Sequence, residues 1–280
     1  MARFAILWVL FAGLVFAAEA VYDGAKVHYE SYGQGAEALV FVHGWTCDLT
    51  FWRGQAPVYE KHRSLLIDLP GHGQSDKPEV AYTLERFARA IDAVMTDAEV
   101  ERAILVGHSM GEPVAFTFLR LFPANAKALV SVDGFIPAVP KSEQARAKHA
   151  ADSAAYGKSY AKDSNPKATA EMIDTMFSAR TAPAVKDEIR RKMLATPQQV
   201  RVSAMQGMLA LDPPHTGETY KIPVLAIVAG RADRAGYVSR VRAVFPNAEY
   251  EEWAGFGHFL MMESPERFNA RLEKFLAGIQ

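Results

Sequence analysis

From about Lys26 onward, short apolar runs alternate with stretches whose hydrophobic residues recur every three or four positions. Six runs read as strands, at 38–42, 63–68, 102–106, 128–132, 224–228 and 248–253. Several are continuously hydrophobic, the pattern of strands covered on both faces of a parallel sheet. Between them Leu84, Phe87, Ile91, Val94 and Met95 repeat at helical spacing. A last helix is predicted with Ser264 at its N-cap, Pro265 at its first position, and Phe268, Leu272, Phe275 and Leu276 on one face. Alternating strands and helices predict an α/β fold built on a mainly parallel central sheet with helices on both faces.

One stretch breaks the alternation. From about 137 to 219 no strand pattern occurs, only helical periodicity divided at Asn165-Pro166, Ala182-Pro183 and Thr196-Pro197. Three or four helices inserted between two strands are expected, forming a cap over the strand ends where α/β sheets bind ligands. The insert carries Met172, Met176, Met193, Met205 and Met208. Methionine on a helix face fills cores more often than it lines pockets. Met205 and Met208 are the cap residues expected at a substrate pocket.

The N-terminus has its own pattern. Arg3 precedes an apolar run at 4–17, and Ala18-Glu19-Ala20 fits a small-residue cleavage motif with cleavage before Val21. This order matches a secretory signal peptide at 1–20, followed by an exported catalytic domain at 21–280 that is periplasmic or secreted and has no stable membrane span. The 280 residues are 50% hydrophobic and 22% charged, with a formal net charge of −1. Lysine and arginine are scattered rather than clustered, which argues against nucleic acid as a partner. Cys47 is the single cysteine, so no intrachain disulfide can form. No metal-ligand spacing stands out, and no metal or other cofactor is expected.

The chemistry concentrates at Gly107-His108-Ser109-Met110-Gly111, directly after one predicted strand and directly before a helix. A serine on such a turn projects from the sheet edge, and flanking glycines relieve the crowding there. The helix that follows turns its N-terminal N–H groups toward the place where an oxyanion would develop. A serine hydroxyl needs a base. His258, in Gly255-Phe256-Gly257-His258 after the last strand, reaches the same sheet edge. His28, His62, His149 and His215 lie in exposed-looking or inserted segments without a supporting pattern. The base needs a carboxylate to orient it. Asp233, on the loop after 224–228, fits the chain order serine, acid, histidine, and Asp133, after 128–132, competes for the same role. The backbone N–H groups of Met110 and Trp45 are the candidate oxyanion donors. The Trp45 ring is either a pocket wall or a core residue.

These residues carry a resemblance. Val42-His43-Gly44-Trp45, Asp68-Leu69-Pro70-Gly71-His72-Gly73-Gln74-Ser75-Asp76 and the serine turn resemble the α/β-hydrolase superfamily, in particular single-chain bacterial serine esterases with a helical cap. The likeness covers essentially all of 26–280. It implies a carboxylesterase-like serine hydrolase acting on small to medium apolar esters or related acyl compounds, with a Ser109, Asp233 and His258 triad. It implies a structural or rim role for the segment around His72. Serine at position 109 argues against the dehalogenases and epoxide hydrolases of the superfamily, which use aspartate there. Lactonases, serine C–C hydrolases and perhydrolases share the triad. A binding protein that kept the fold without turnover would be expected to have lost a triad residue, and all three are present. Glu112 stands where such proteins commonly have glycine; it either caps the helix or faces the pocket.

Overall fold

The computed structural model describes residues 16–230 and 236–279. Within them, eight strands form one sheet: β1 (Phe16–Tyr22), β2 (Ala25–Tyr32), β3 (Glu37–Val42), β4 (Ser64–Ile67), β5 (Arg102–His108), β6 (Ala126–Val132), β7 (Val224–Gly230) and β8 (Glu249–Ala254). Their spatial order is β1-β2-β4-β3-β5-β6-β7-β8. β1 and β2 run antiparallel at one edge, and all pairs from β4 to β8 are parallel. The chain leaves β3 toward β4 on one side, then returns to place β5 on the other. That reversal opens a crevice at the carboxyl ends of β3 and β5, where open α/β sheets place their ligands.

The six apolar runs of the sequence are β3 to β8, and β3 to β7 are buried along most of their length. The β1–β2 hairpin has no counterpart among them. Its turn is Asp23-Gly24, both at positive φ (50° and 73°), the backbone that an Asp-Gly hairpin turn requires. The predicted leader overlaps this hairpin. Residues 1–15 lie outside the described residues, but Phe16 to Ala20 make five of the seven β1–β2 residue pairs. Cleavage before Val21 would remove those five.

The helices in chain order are α1 (Ala56–Tyr59), α2 (Leu84–Asp97), α3 (Gly111–Leu121), α4 (Glu143–Asp163), α5 (Pro166–Asp174), α6 (Pro183–Ala195), α7 (Gln198–Leu209), α8 (Tyr237–Val244), α9 (Leu260–Glu263) and α10 (Pro265–Leu276). α4 to α7 lie between β6 and β7. Pro166 and Pro183 open α5 and α6, where a missing N–H costs nothing. Asn165 caps α5 by accepting from the Ala168 N–H. Ser264 holds the N-cap position of α10, but its side chain makes no capping bond. The insert is tied down at several points: the Trp45 indole N–H donates to the Arg201 carbonyl at 2.8 Å, the Thr196 hydroxyl donates to the Thr46 carbonyl at 3.1 Å, and Arg53 forks onto Glu188.

Candidate active site

Ser109 sits between β5 and α3 with φ +53°, a left-handed conformation that costs a non-glycine residue energy. Its surroundings hold it there. Its N–H donates to the Val132 carbonyl at 3.0 Å, tying the turn to the end of β6. The flanking glycines are needed for space: a Cβ on Gly107 would lie 2.5 Å from the Gly111 backbone, and one on Gly111 would lie 2.3 Å from the Val42 carbonyl oxygen. Gly44 also faces the serine, since a Cβ there would come within 3.1 Å of the Ser109 Cβ.

His258 follows β8, and its Nδ1 lies 2.5 Å from Asp133 Oδ2. A carboxylate oxygen only accepts, so Nδ1 carries the proton and Nε2 is left as the basic nitrogen. Asp133 is fully buried, and its position is fixed twice: its N–H donates to the Ile227 carbonyl at 2.8 Å, and its Oδ1 accepts from the Ala229 N–H at 2.9 Å. Its φ is +46°. Asp233, the first candidate from sequence, lies outside the described residues. Among the described residues, the carboxylate on the His258 ring is the competing candidate, Asp133.

Ser109, His258, His108, Gly44, Trp45, Cys47, Met176, Met193 and Phe259 enclose a cavity of about 10 Å³, about enough for one water molecule. Met205 and Met208 do not line it; Met205 belongs to the buried core and Met208 packs beside it. The cap methionines at the cavity are Met176 and Met193. Helical spacing alone does not say which face of a cap helix turns down onto the sheet. The Trp45 ring serves both suggested purposes, lining the cavity while its N–H is anchored in α7. Met110 is buried at the N-cap of α3. Among the described residues, neither the Trp45 nor the Met110 backbone N–H donates a hydrogen bond, as free oxyanion donors should not.

Three further histidines are buried around this centre. His108 Nε2 donates to the His258 carbonyl at 2.9 Å, and burial followed by the nearby His258 ring lowers its pKa to about 3. His43 Nε2 accepts from the Leu69 N–H at 3.0 Å, so its Nδ1 donates to the Gly44 carbonyl at 2.8 Å. Burial lowers its pKa as well. His72 bonds the Pro70 carbonyl and is lowered to about 3, by burial first and His43 second. These rings are neutral scaffolding for the loops that follow β3, β4 and β5. Asp68 gathers the β4 loop: its carboxylate accepts from the Leu49 and Gln74 N–H groups and from His28 Nδ1, at 2.8, 2.9 and 2.9 Å. His28, which looked exposed in sequence, is buried in this cluster.

Glu112 is buried behind the site, where its carboxylate accepts from the Tyr237 hydroxyl at 3.1 and 3.2 Å and packs against Gly134. Among the residues that line the cavity Glu112 does not appear. Cys47 is buried, and burial followed by Asp48 pushes its thiol pKa well up, so it is a wall and not a nucleophile. Among the described residues no cluster of His, Cys, Asp or Glu is arranged to hold a metal ion, and no helix is long and apolar enough to cross a membrane.

A family model described as the Alpha/beta hydrolase family matches residues 39–271. The chain belongs to the alpha/beta hydrolase family. Membership implies a small-molecule substrate. The chain is 27% identical over 266 residues to the dihydrolipoyllysine-residue acetyltransferase component of an acetoin cleaving system from Cupriavidus necator, covering 91% of this chain and 68% of that protein. Solved structures share the alpha/beta hydrolase fold at lower identity. A thermophilic esterase from Thermogutta terrifontis aligns with a TM-score of 0.76 at 24% identity, over 95% of this chain and 98% of its own. The enol-lactonase from Burkholderia xenovorans aligns with a TM-score of 0.76 at 22% identity, over 93% and 100%.

Proposed function

We propose that the chain is a serine hydrolase that cleaves small to medium apolar carboxylic esters through an acyl-enzyme on Ser109. The observation that carries this reading is the His258–Asp133 bond at the cavity that Ser109 also lines. Ser109 Oγ attacks the ester carbonyl while His258 Nε2 takes its proton. Asp133 holds the ring in the required tautomer and stabilises the imidazolium. The Trp45 and Met110 N–H groups receive the oxyanion, helped by the positive end of α3. His258 then protonates the departing alkoxide, and the same base activates the water that releases the acid. Trp45, Met176, Met193 and Phe259 give the cavity walls that favour an apolar acyl group. A lactone undergoes the same attack with its alcohol still tethered, and the esterase and lactonase among the structural relatives are compatible with either substrate.

The test is hydrolysis of p-nitrophenyl esters from acetate to octanoate by the protein and by three variants. Ser109→Ala should abolish turnover, and Asp133→Asn should lower kcat about 10⁴-fold with the fold intact, as loss of the correct tautomer does. Asp233→Asn should keep most of the activity. Loss of activity in Asp233→Asn but not in Asp133→Asn would return the acid's role to Asp233. Full activity in Ser109→Ala would remove the proposed nucleophile.

A further inference from the structure

The loop that carries His258 does not stand on the sheet alone. Its backbone N–H donates to the Met176 carbonyl at 2.8 Å. Met176 belongs to the cap, in the turn after α5, and also lines the catalytic cavity. One residue earlier, the Gly257 N–H donates to Glu263 Oε2 at 2.9 Å. The same carboxylate receives the Ser178 hydroxyl at 3.0 Å from each oxygen, and the Thr181 hydroxyl. Ser178 and Thr181 form one small turn, in which the Ser178 N–H donates to the Thr181 hydroxyl oxygen at 3.0 Å. Gly257 is wedged among these groups: a Cβ there would lie 2.7 Å from Glu263 Oε1, 2.8 Å from the Met176 carbonyl oxygen and 2.8 Å from the Ser178 nitrogen.

We infer that Glu263 is a positioning residue that fastens the His258 loop to the 176–181 segment of the cap, so that the base is in place only when the cap is seated. The inference rests on His258 being the base of the proposed reaction. The carboxylate bridges two pieces of chain, the sheet-borne histidine loop and the cap turn. Hydrogen bonds to an ionised acceptor are roughly twice as strong as neutral ones, so one side chain can bind both pieces tightly. An ester is far larger than this cavity of about 10 Å³, and two of the walls that can yield to it, Met176 and Met193, belong to the cap. Movement of the Met176 segment away from the sheet would loosen His258, and its return would set the imidazole again beside Ser109 and Asp133.

The experiment compares Glu263→Ala, Glu263→Gln and the double variant Ser178→Ala with Thr181→Ala. Active sites are counted by stoichiometric labelling of Ser109 with a fluorophosphonate, and kcat and KM for p-nitrophenyl butyrate are expressed per labelled site. In Glu263→Ala, kcat should fall about 100-fold with KM changed far less, the cost of a misplaced catalytic group. Glu263→Gln should recover most of that loss, because its amide oxygen still accepts from Gly257. The double variant leaves Gly257 bonded but removes the carboxylate's bonds to the cap turn, and should show an intermediate fall in kcat. A purely structural role would reduce melting temperature and the number of labelled sites while kcat per site stayed unchanged, and that result overturns the inference. Should Glu263→Ala fail to fold, the double variant decides, with unchanged kcat per site again overturning it. Wild-type protein that neither labels nor hydrolyses the ester fails the serine hydrolase reading instead.

Discussion

Helix α3 buries eight of its eleven residues against the sheet, whereas α4, with twenty-one, buries only Gly157. α3 begins two residues after Ser109, and its first residue, Gly111, packs directly on the Val42 carbonyl. α4 only covers. The same contrast runs through the polar groups. Around the sheet's edge His28, His43, Asp68, His72, His108 and Asp133 are buried and bonded to loop backbone or to one another. On the cap the ion pairs of Lys148 with Asp152 and Lys167 with Glu171 are exposed pairs within one helix, which contribute little. The core of the sheet therefore tolerates fewer alternatives than the exposed face of α4.

The sharpest way to break this contrast is to damage the most buried polar cluster. Asp68→Asn removes the charge opposite His28 and turns an amide toward a backbone donor, so unfolding free energy should fall by about 3–5 kcal/mol, measured by chemical denaturation. Its dependence on pH has a definite sign. Burial acts to raise the Asp68 pKa, but the bonds from His28 and from the Gln74 and Leu49 N–H groups bring it below its ordinary value. That stabilisation is present above the usual carboxylate range and disappears as pH falls through the lowered pKa. The bond to Asp68 raises the His28 pKa against its burial, so its contribution is complete below the ordinary imidazole value and is lost as pH rises through the raised one. The gap in melting temperature between the protein and Asp68→Asn should thus be widest between about pH 4 and 6.5, and an equal gap at all pH values would contradict the pairing.

A single substitution made in both regions sharpens the contrast further. Gly111→Ala places a methyl group 2.3 Å from the Val42 carbonyl oxygen, which belongs to a central strand and cannot step aside. A loss of about 3 kcal/mol is expected, together with activity, because α3 must shift and carry Ser109 with it. Gly157→Ala meets the flexible Gln206 side chain at 3.3 Å and the Leu209 side chain at an ordinary 3.7 Å. In the middle of a helix alanine gains up to about 1 kcal/mol over glycine, so the melting temperature should hold or rise slightly. Comparable losses at the two sites would mean that the cap is as tightly constrained as the sheet.

The same physical difference explains what the sequence could and could not tell. Strands β3 to β7 were legible because burial on both faces makes them continuous apolar runs, and Ser109 because its crowded turn demands glycines at 107 and 111. The acid was harder. Asp133 and Asp233 both follow strands that end at the same sheet edge, and no spacing along the chain encodes which carboxylate meets His258. That depends on the β6–β7 register, which sets Asp133 against Ile227 and Ala229. The β1–β2 hairpin was hidden beneath an apolar run that reads equally well as a leader, although Asp23-Gly24 was a visible turn signal. His28 looked like a surface residue because its partner Asp68 lies 40 positions away. Glu263, six positions before Asn269 on an ordinary-looking helix boundary, gave no sign of its bonds into the cap.

The left-handed backbone at Ser109 has a consequence for ancestry as well as for catalysis. A φ of +53° is held by Gly107, Gly111 and the bond to Val132, none of which involves the serine side chain. Asparagine and aspartate tolerate that conformation better than serine does. The backbone of the turn therefore does not itself select a hydroxyl over a carboxylate, and a change of the proposed nucleophile would leave that pedestal standing. Descent within such a fold can preserve the architecture while the reaction is rewritten.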